Sequence, residues 1–158
     1  MDETTYYMLM TTFQHETRNK FIYSFQFRHE GNEVYLDHDR GNVKIVWDGR
    51  INKEAAADIL SYAADLVEGG LVSTILLDRQ KLIHFEAAAR KWIKEDFFSI
   101  RCKELSHLIK RVAIVNETSL AASIYGKKII NDIEHTFSEL PIKKFDKIEE
   151  AENWLLNI

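Results

Sequence analysis

At 158 residues, 46% hydrophobic and 29% charged, the chain has the size and make-up of one globular domain that needs neither disulfides nor metals to hold a core. Its near-balanced formal charge of −4 lacks the basic excess of a nucleic-acid-binding protein. Cys102 is the single cysteine, no basic and apolar leader follows Met1-Asp2-Glu3, and no apolar run approaches the roughly 18 residues of a membrane span. A cytoplasmic protein with no transmembrane segment is expected.

Tyr6 to Phe13 is apolar and reads as a strand or a short helix. Phe21, Tyr23, Phe25 and Phe27 then alternate with polar residues, the period of a half-buried strand. Glu33 to Asp37 and Val43 to Trp47 read as an antiparallel pair joined by His38-Asp39-Arg40-Gly41-Asn42, and Asp48-Gly49 closes the second strand. Asn52 can cap a helix whose apolar stripe is Ala55, Ile59, Tyr62, Ala63, Leu66 and Val67 and which stops at Gly69-Gly70. Val72 to Leu77 is nearly continuously apolar, as in a strand covered on both faces. After Asp78 a polar turn leads to a helix from about His84 to about Arg101. Arg111 to Val115 is the next strand, and Thr118 or Ser119 can cap the helix that runs to about Glu139, just before Pro141. Ile142 to Phe145 is a short last strand, and Asp146 and Glu149 have capping-box spacing ahead of a final helix.

That order predicts an α/β fold with a mixed, mainly parallel sheet packed with about four helices. Residues 33–158 form the domain, and residues 1–32 a β-rich N-terminal extension. The aromatic face of Phe21, Tyr23, Phe25 and Phe27 is too large to leave in water, so it covers this chain's own sheet or a second copy in a homodimer.

Three pieces of the chain resemble the STAS domain of bacterial anti-sigma-factor antagonists, and within it the SpoIIAA-like group, related in architecture to the CRAL-TRIO lipid-binding fold. They are Val46-Trp47-Asp48-Gly49, Ile75-Leu76-Leu77-Asp78, and the ending from Lys143 through Phe145-Asp146 to Trp154-Leu155. The resemblance implies a SpoIIAA-like fold and a non-catalytic regulatory or protein-interaction module with a protein partner still to be identified. In that family an Asp-Ser pair opens the helix after the central strand, and the serine is the phosphorylated switch. Counting from Asp78, the pair falls on Glu86-Ala87, and alanine has no hydroxyl. Ser73 and Thr74 precede Asp78 on a strand expected to be buried. The alternative implied by the CRAL-TRIO relation is a carrier or sensor of a lipid or other apolar small molecule.

No catalytic constellation competes. His84 and Glu86 lie two apart at a helix start, as an acid/base pair or as ordinary polar residues of a first turn. With Phe97 and Phe98, His84 marks an expected partner or ligand surface, although adjacent Phe97 and Phe98 cannot both face inward from a regular helix. His15, His29 and His38 with Glu16, Glu30, Asp37 and Asp39 are too dispersed for a metal site, and Cys102 lacks an assigned base. No glycine-rich phosphate cradle occurs, and Lys110-Arg111, Lys127-Lys128 and Lys143-Lys144 are basic pairs expected to be solvated. No cofactor and no metal are expected.

Overall fold

The computed structural model describes residues 2–8, 20–118 and 120–157, with their side chains except those of 120–126 and 129. Residues 3–8 are helical, so the helical reading holds for the described part of the Tyr6–Phe13 segment; residues 9–13 lie outside the described residues. The aromatic segment forms β1 (Ser24–His29), which pairs antiparallel with β2 (Asn32–Asp37), itself antiparallel to β3 (Asn42–Ile51). Short turns leave no room for anything but antiparallel pairing. In the second turn, Asp37 accepts the Arg40 backbone N–H at 3.0 Å. Its other carboxylate oxygen accepts from the Ile22 N–H at 2.8 Å and so holds the approach to β1.

From β3 onward the connections are helical and the pairing is parallel. Helix α1 (Lys53–Glu68) leads to β4 (Thr74–Phe85), helix α2 (Ala87–Trp92) and its continuation lead to β5 (Arg111–Val115), and α3 (Leu120–Thr136) leads to β6 (Ile142–Phe145). The sheet order is β1-β2-β3-β4-β5-β6. Two of its five pairings are antiparallel, so the expectation of a mainly parallel sheet fits the second half and must be corrected for the first. The aromatic segment is the edge strand of this one sheet, not a β-rich addition to it.

Sequential order decides where the helices lie. Right-handed crossovers that always step in the same direction put every connecting helix on the same face. Ala55, Ile59 and Ala63 of α1 and Ile93 and Leu105 beyond α2 pack with Val43, Ile45 and Trp47. Ile130 of α3 packs with Val112 and Ile114 on that same face. Helix α4 (Ile148–Leu156) follows the last strand and turns back on the opposite face, where Ala151 and Leu155 cover Leu76, Ala113, Val115 and Phe145.

Several boundaries differ from the sequence reading. Asn52 caps α1, its Oδ1 accepting from the Ala55 N–H at 2.8 Å. Asp48-Gly49 is no strand end: β3 continues to Ile51 across register shifts, with Gly49 at φ +76°. A glycine at positive φ serves a β-bulge as readily as a turn. The continuing β3 pairs with an equally long β4, so the chain after Asp78 stays extended to Phe85 and no polar turn intervenes. Asp146 does not cap α4. Lys147 takes the cap position, and Asp146 accepts instead from Asn116 Nδ2 at 3.0 Å, joining the ends of β5 and β6. Thr118 donates to the Gln80 carbonyl at 3.0 Å, and Ser119 lies outside the described residues.

Candidate functional site

Between the sheet and its three crossover helices is an apolar cavity of about 140 Å³. Its floor has three levels, set by strand register. Ile75 lies beside Val112, Leu77 lies between Ile45 and Ile114, and the third level holds Trp47 and Arg79. Residues two apart on a strand share a face and stand roughly 6.6 Å apart, so the floor runs for roughly 13 Å.

The roof depends on an irregular helix. After Trp92, α2 widens into a π-helical stretch, Ile93–Cys102, before a last α-turn, Lys103–Leu105. The wider i→i+5 winding changes the angle between successive side chains. Phe97 and Phe98 therefore both line the cavity and are both half-buried, which resolves the conflict posed by a regular helix. Phe97 stacks on Trp92 with centroids 5.6 Å apart. Arg101 fastens this stretch to the end of α1 by bonds to Asp65 (3.0 Å) and Glu68 (2.7 Å). That guanidinium holds the Glu68 carboxyl below the ordinary carboxylate range.

Polar groups in the lining are few. Cys102 lies against the cavity with its thiol pushed up to about 12 by burial, which makes it an inert packing thiol at neutral pH. Arg79 is the charged residue of the lining. Its side chain is 6% exposed, and Nη1 stands 3.2 Å from Oε2 of Glu117, also 6% exposed. The two atoms are too poorly aligned to hydrogen-bond, and each lacks another partner among the described residues. Burial lowers the guanidinium's proton affinity and the carboxylate opposes that shift. At the other end, Ser106, Ile109, Phe137 and Leu140 belong both to the cavity and to a shallow surface depression with His107 and Pro141. The mouth is thus at the amino ends of β5 and β6, and Arg79 is at the carboxyl end of the sheet.

The other sequence-derived positions do not converge on this site. Asp78 is buried and accepts from the Gln80 N–H at 3.1 Å. Glu86 and Ala87 are exposed at the start of α2, separated from Asp78 by roughly 25 Å of extended chain. Glu86 makes no side-chain cap. His84 is half-buried on β4 opposite Arg50, so of the three surface positions read from sequence only Phe97 and Phe98 meet. Thr74 is buried and donates to Asn42 at 2.8 Å.

The aromatic set of β1 is divided by a register shift between Phe25 and Phe27. Phe27 stacks on Tyr62 of α1 at 5.0 Å, on the crossover face. Phe21, Tyr23 and Phe25 form a series with Tyr35 on the opposite face, and Phe25 is 53% exposed. The expected four-ring face is therefore a three-ring face. Among the described residues no three His, Cys, Asp or Glu side chains are placed to hold a metal ion; His29 pairs with Asp58 at 2.7 Å, and His15 and Glu16 lie outside the described residues. No described helix is long and apolar enough to cross a membrane. The basic pairs are dispersed: Arg111 lies on the Trp154 ring at 4.7 Å, whereas Lys144 reaches Glu134 of α3 at 3.8 Å.

Sequence reading missed Arg79 and Glu117. With β4 assumed to end at residue 78, Arg79 read as part of a turn. Continuing the alternation Ile75, Leu77, Arg79 is the signal that places it on the cavity face.

No family model matches the sequence, and no curated protein is similar to it. Solved structures are. The chain superposes on the anti-sigma factor antagonist SpoIIAA in its unphosphorylated form with a TM-score of 0.54 at 17% identity, covering 87% of this chain and 100% of that one. On the phosphorylated form of SpoIIAA, the Bacillus cell fate determinant, the TM-score is 0.51 at 15% identity, with 85% and 99% covered. A DUF3478-family protein with a SpoIIAA-like fold from Shewanella loihica gives 0.49 at 19% identity, with 85% and 92% covered. The fold is SpoIIAA-like.

Proposed function

We propose that this chain is a non-catalytic regulatory module of the STAS type that binds a protein partner without a phosphoserine switch at the usual position. The observation that carries the reading is Ala87, exposed at the first position of α2, preceded by exposed Glu86, on a SpoIIAA-like fold. An exposed helix start is accessible to a partner, and alanine offers a kinase no oxygen. The lone half-buried thiol suits a cytoplasmic setting. A photo-crosslinker placed at Ala87 in the native host, read by mass spectrometry, is expected to join one recurring protein, with residues 84–90 unphosphorylated. Absence of any recurring partner, or a phosphopeptide covering Ser73 or Thr74, overturns this reading.

Residues 1–32 belong to the same proposal as the segment by which two copies meet. Among the described residues its β1 is the edge strand and carries exposed Phe25, a geometry that suits symmetric pairing. Sedimentation of the full chain at micromolar concentration is expected to give a dimer; a monomer ends that part of the proposal.

The cavity favours a second reading, a carrier or sensor of an apolar molecule, lipid included. Saturation-transfer NMR with small apolar probes tests it, and no transfer to any of them refutes it.

A further inference from the structure

Size narrows what the cavity can hold. Pockets for drug-sized ligands run to about 300–1,000 Å³, and an engineered apolar cavity of about 150 Å³ holds benzene. A volume of about 140 Å³ therefore suits a ring or short alkyl group, not an acyl lipid.

The charged end narrows it further. An apolar ligand alone would leave Arg79 as it is, with a buried Nη1 that makes no hydrogen bond to any described residue. Donors alone call for an acceptor on the ligand. Its charge follows from Glu117, which already neutralises the guanidinium at 3.2 Å. A carboxylate ligand would bring a second negative charge into an otherwise apolar enclosure, and a cation would face the guanidinium itself; either leaves a net buried charge, at a cost of several kcal/mol per ion. A neutral oxygen leaves the pair balanced. We propose that the cavity is a binding site for a small apolar molecule, of about six to eight carbons, carrying one neutral acceptor oxygen that seats on Arg79. Entry is from the Ser106–Phe137 mouth, so the apolar body trails along Leu77 and Ile75 while the oxygen reaches the third level of the floor.

This assignment rests on the apolar-ligand reading, and one ligand series separates the two. Cyclohexanone, cyclohexane, cyclohexanecarboxylate and cyclohexylammonium share a skeleton and differ in head. Titrations of the full chain followed by NMR are expected to rank cyclohexanone first, about tenfold or more ahead of cyclohexane, because a hydrogen bond to a charged donor is worth about that factor. The two ions should bind weakest. The double variant Arg79→Met with Glu117→Leu should lose that preference and bind cyclohexane at least as tightly as cyclohexanone, whose carbonyl is left unpaired; exchanging a buried ion pair for apolar residues of similar volume is generally tolerated. Circular dichroism of the variant confirms that it folds, and if it does not, the wild-type ranking still decides. Equal binding of cyclohexane and cyclohexanone by the wild type, or tightest binding of the carboxylate, overturns the neutral-oxygen assignment and leaves the apolar-ligand reading standing. Binding of none of the four overturns both.

Discussion

The two faces of the sheet are built to different densities. On the face covered by α4, Leu76, Ala113 and Val115 meet Ala151 and Leu155 and are almost wholly buried. On the crossover face, Ile75 and Leu77 occupy the same strand one residue away, yet they border a cavity and are only half-buried. One helix seals its strip of sheet, whereas three helices and a π-helical widening leave a space. Adding secondary structure to a face does not by itself fill it; the fit of small and large side chains does.

Truncation sharpens that contrast most. Leu76→Ala should cost about 3–4 kcal/mol, within the range for buried leucines, and Leu77→Ala about 1–2, because the cavity already deprives Leu77 of contacts. Urea unfolding of both variants checks it, and equal losses would mean that the crossover face closes up in solution. Enlargement should act in reverse. Ala113→Val, on a fully buried site, should cost about 1–3 kcal/mol through overpacking, while Ala64→Val grows toward the cavity and should be near neutral or stabilising. Trp154→Ala should cost about 2 kcal/mol, below the full-burial value, because the indole is half-buried between Phe145 and Arg111. Helix caps give a smaller effect on each face. Asn52→Ala should lose about 1 kcal/mol, and Asp146→Ala, which removes no cap, less than about 0.5.

The last effect is confined to alkali. The Cys102 thiol is raised from 9.0 to about 12 in the fold, so its contribution to stability is fully present below pH 9 and is lost as pH rises through about 12. The Tyr23 phenol is pushed up by burial as well, in the same sense. The stability difference between wild type and Cys102→Ala should therefore be constant up to about pH 9 and shift in favour of the variant as pH rises above it. Alkylation of Cys102 at pH 8.5 should be at least tenfold slower in the folded than in the urea-unfolded chain.

Element order and type were legible because each signal was local. The stripe of α1, its Asn52 cap and the Gly69-Gly70 stop sit within a few residues of what they specify. Strand direction was legible from β2 onward, from the length of each connection, but the antiparallel pairing of β1 was not. What failed was punctuation. Asp48-Gly49 and the residues after Asp78 carry turn chemistry, but β3 and β4 sustain each other past it through pairing between residues far apart in sequence. The bulge that parts Phe27 from Phe25 has no glycine or proline to announce it. Phe97-Phe98 did announce a problem, and the π-helical answer came from tertiary packing. The cavity was invisible for the same reason: every residue in it reads as ordinary core, and Arg79 as surface.

Strand order that equals chain order has a consequence for how the molecule is made. Each strand docks only on the one before it, so the sheet can grow from one end as the chain leaves the ribosome, with no strand waiting for a later one to be inserted beside it. Loop-closure entropy is met in modest steps, one hairpin or one crossover at a time. The antiparallel meander β1–β3 has the shortest closures and is the natural place for that growth to begin, and α4 can seal the opposite face only after β6 has been added.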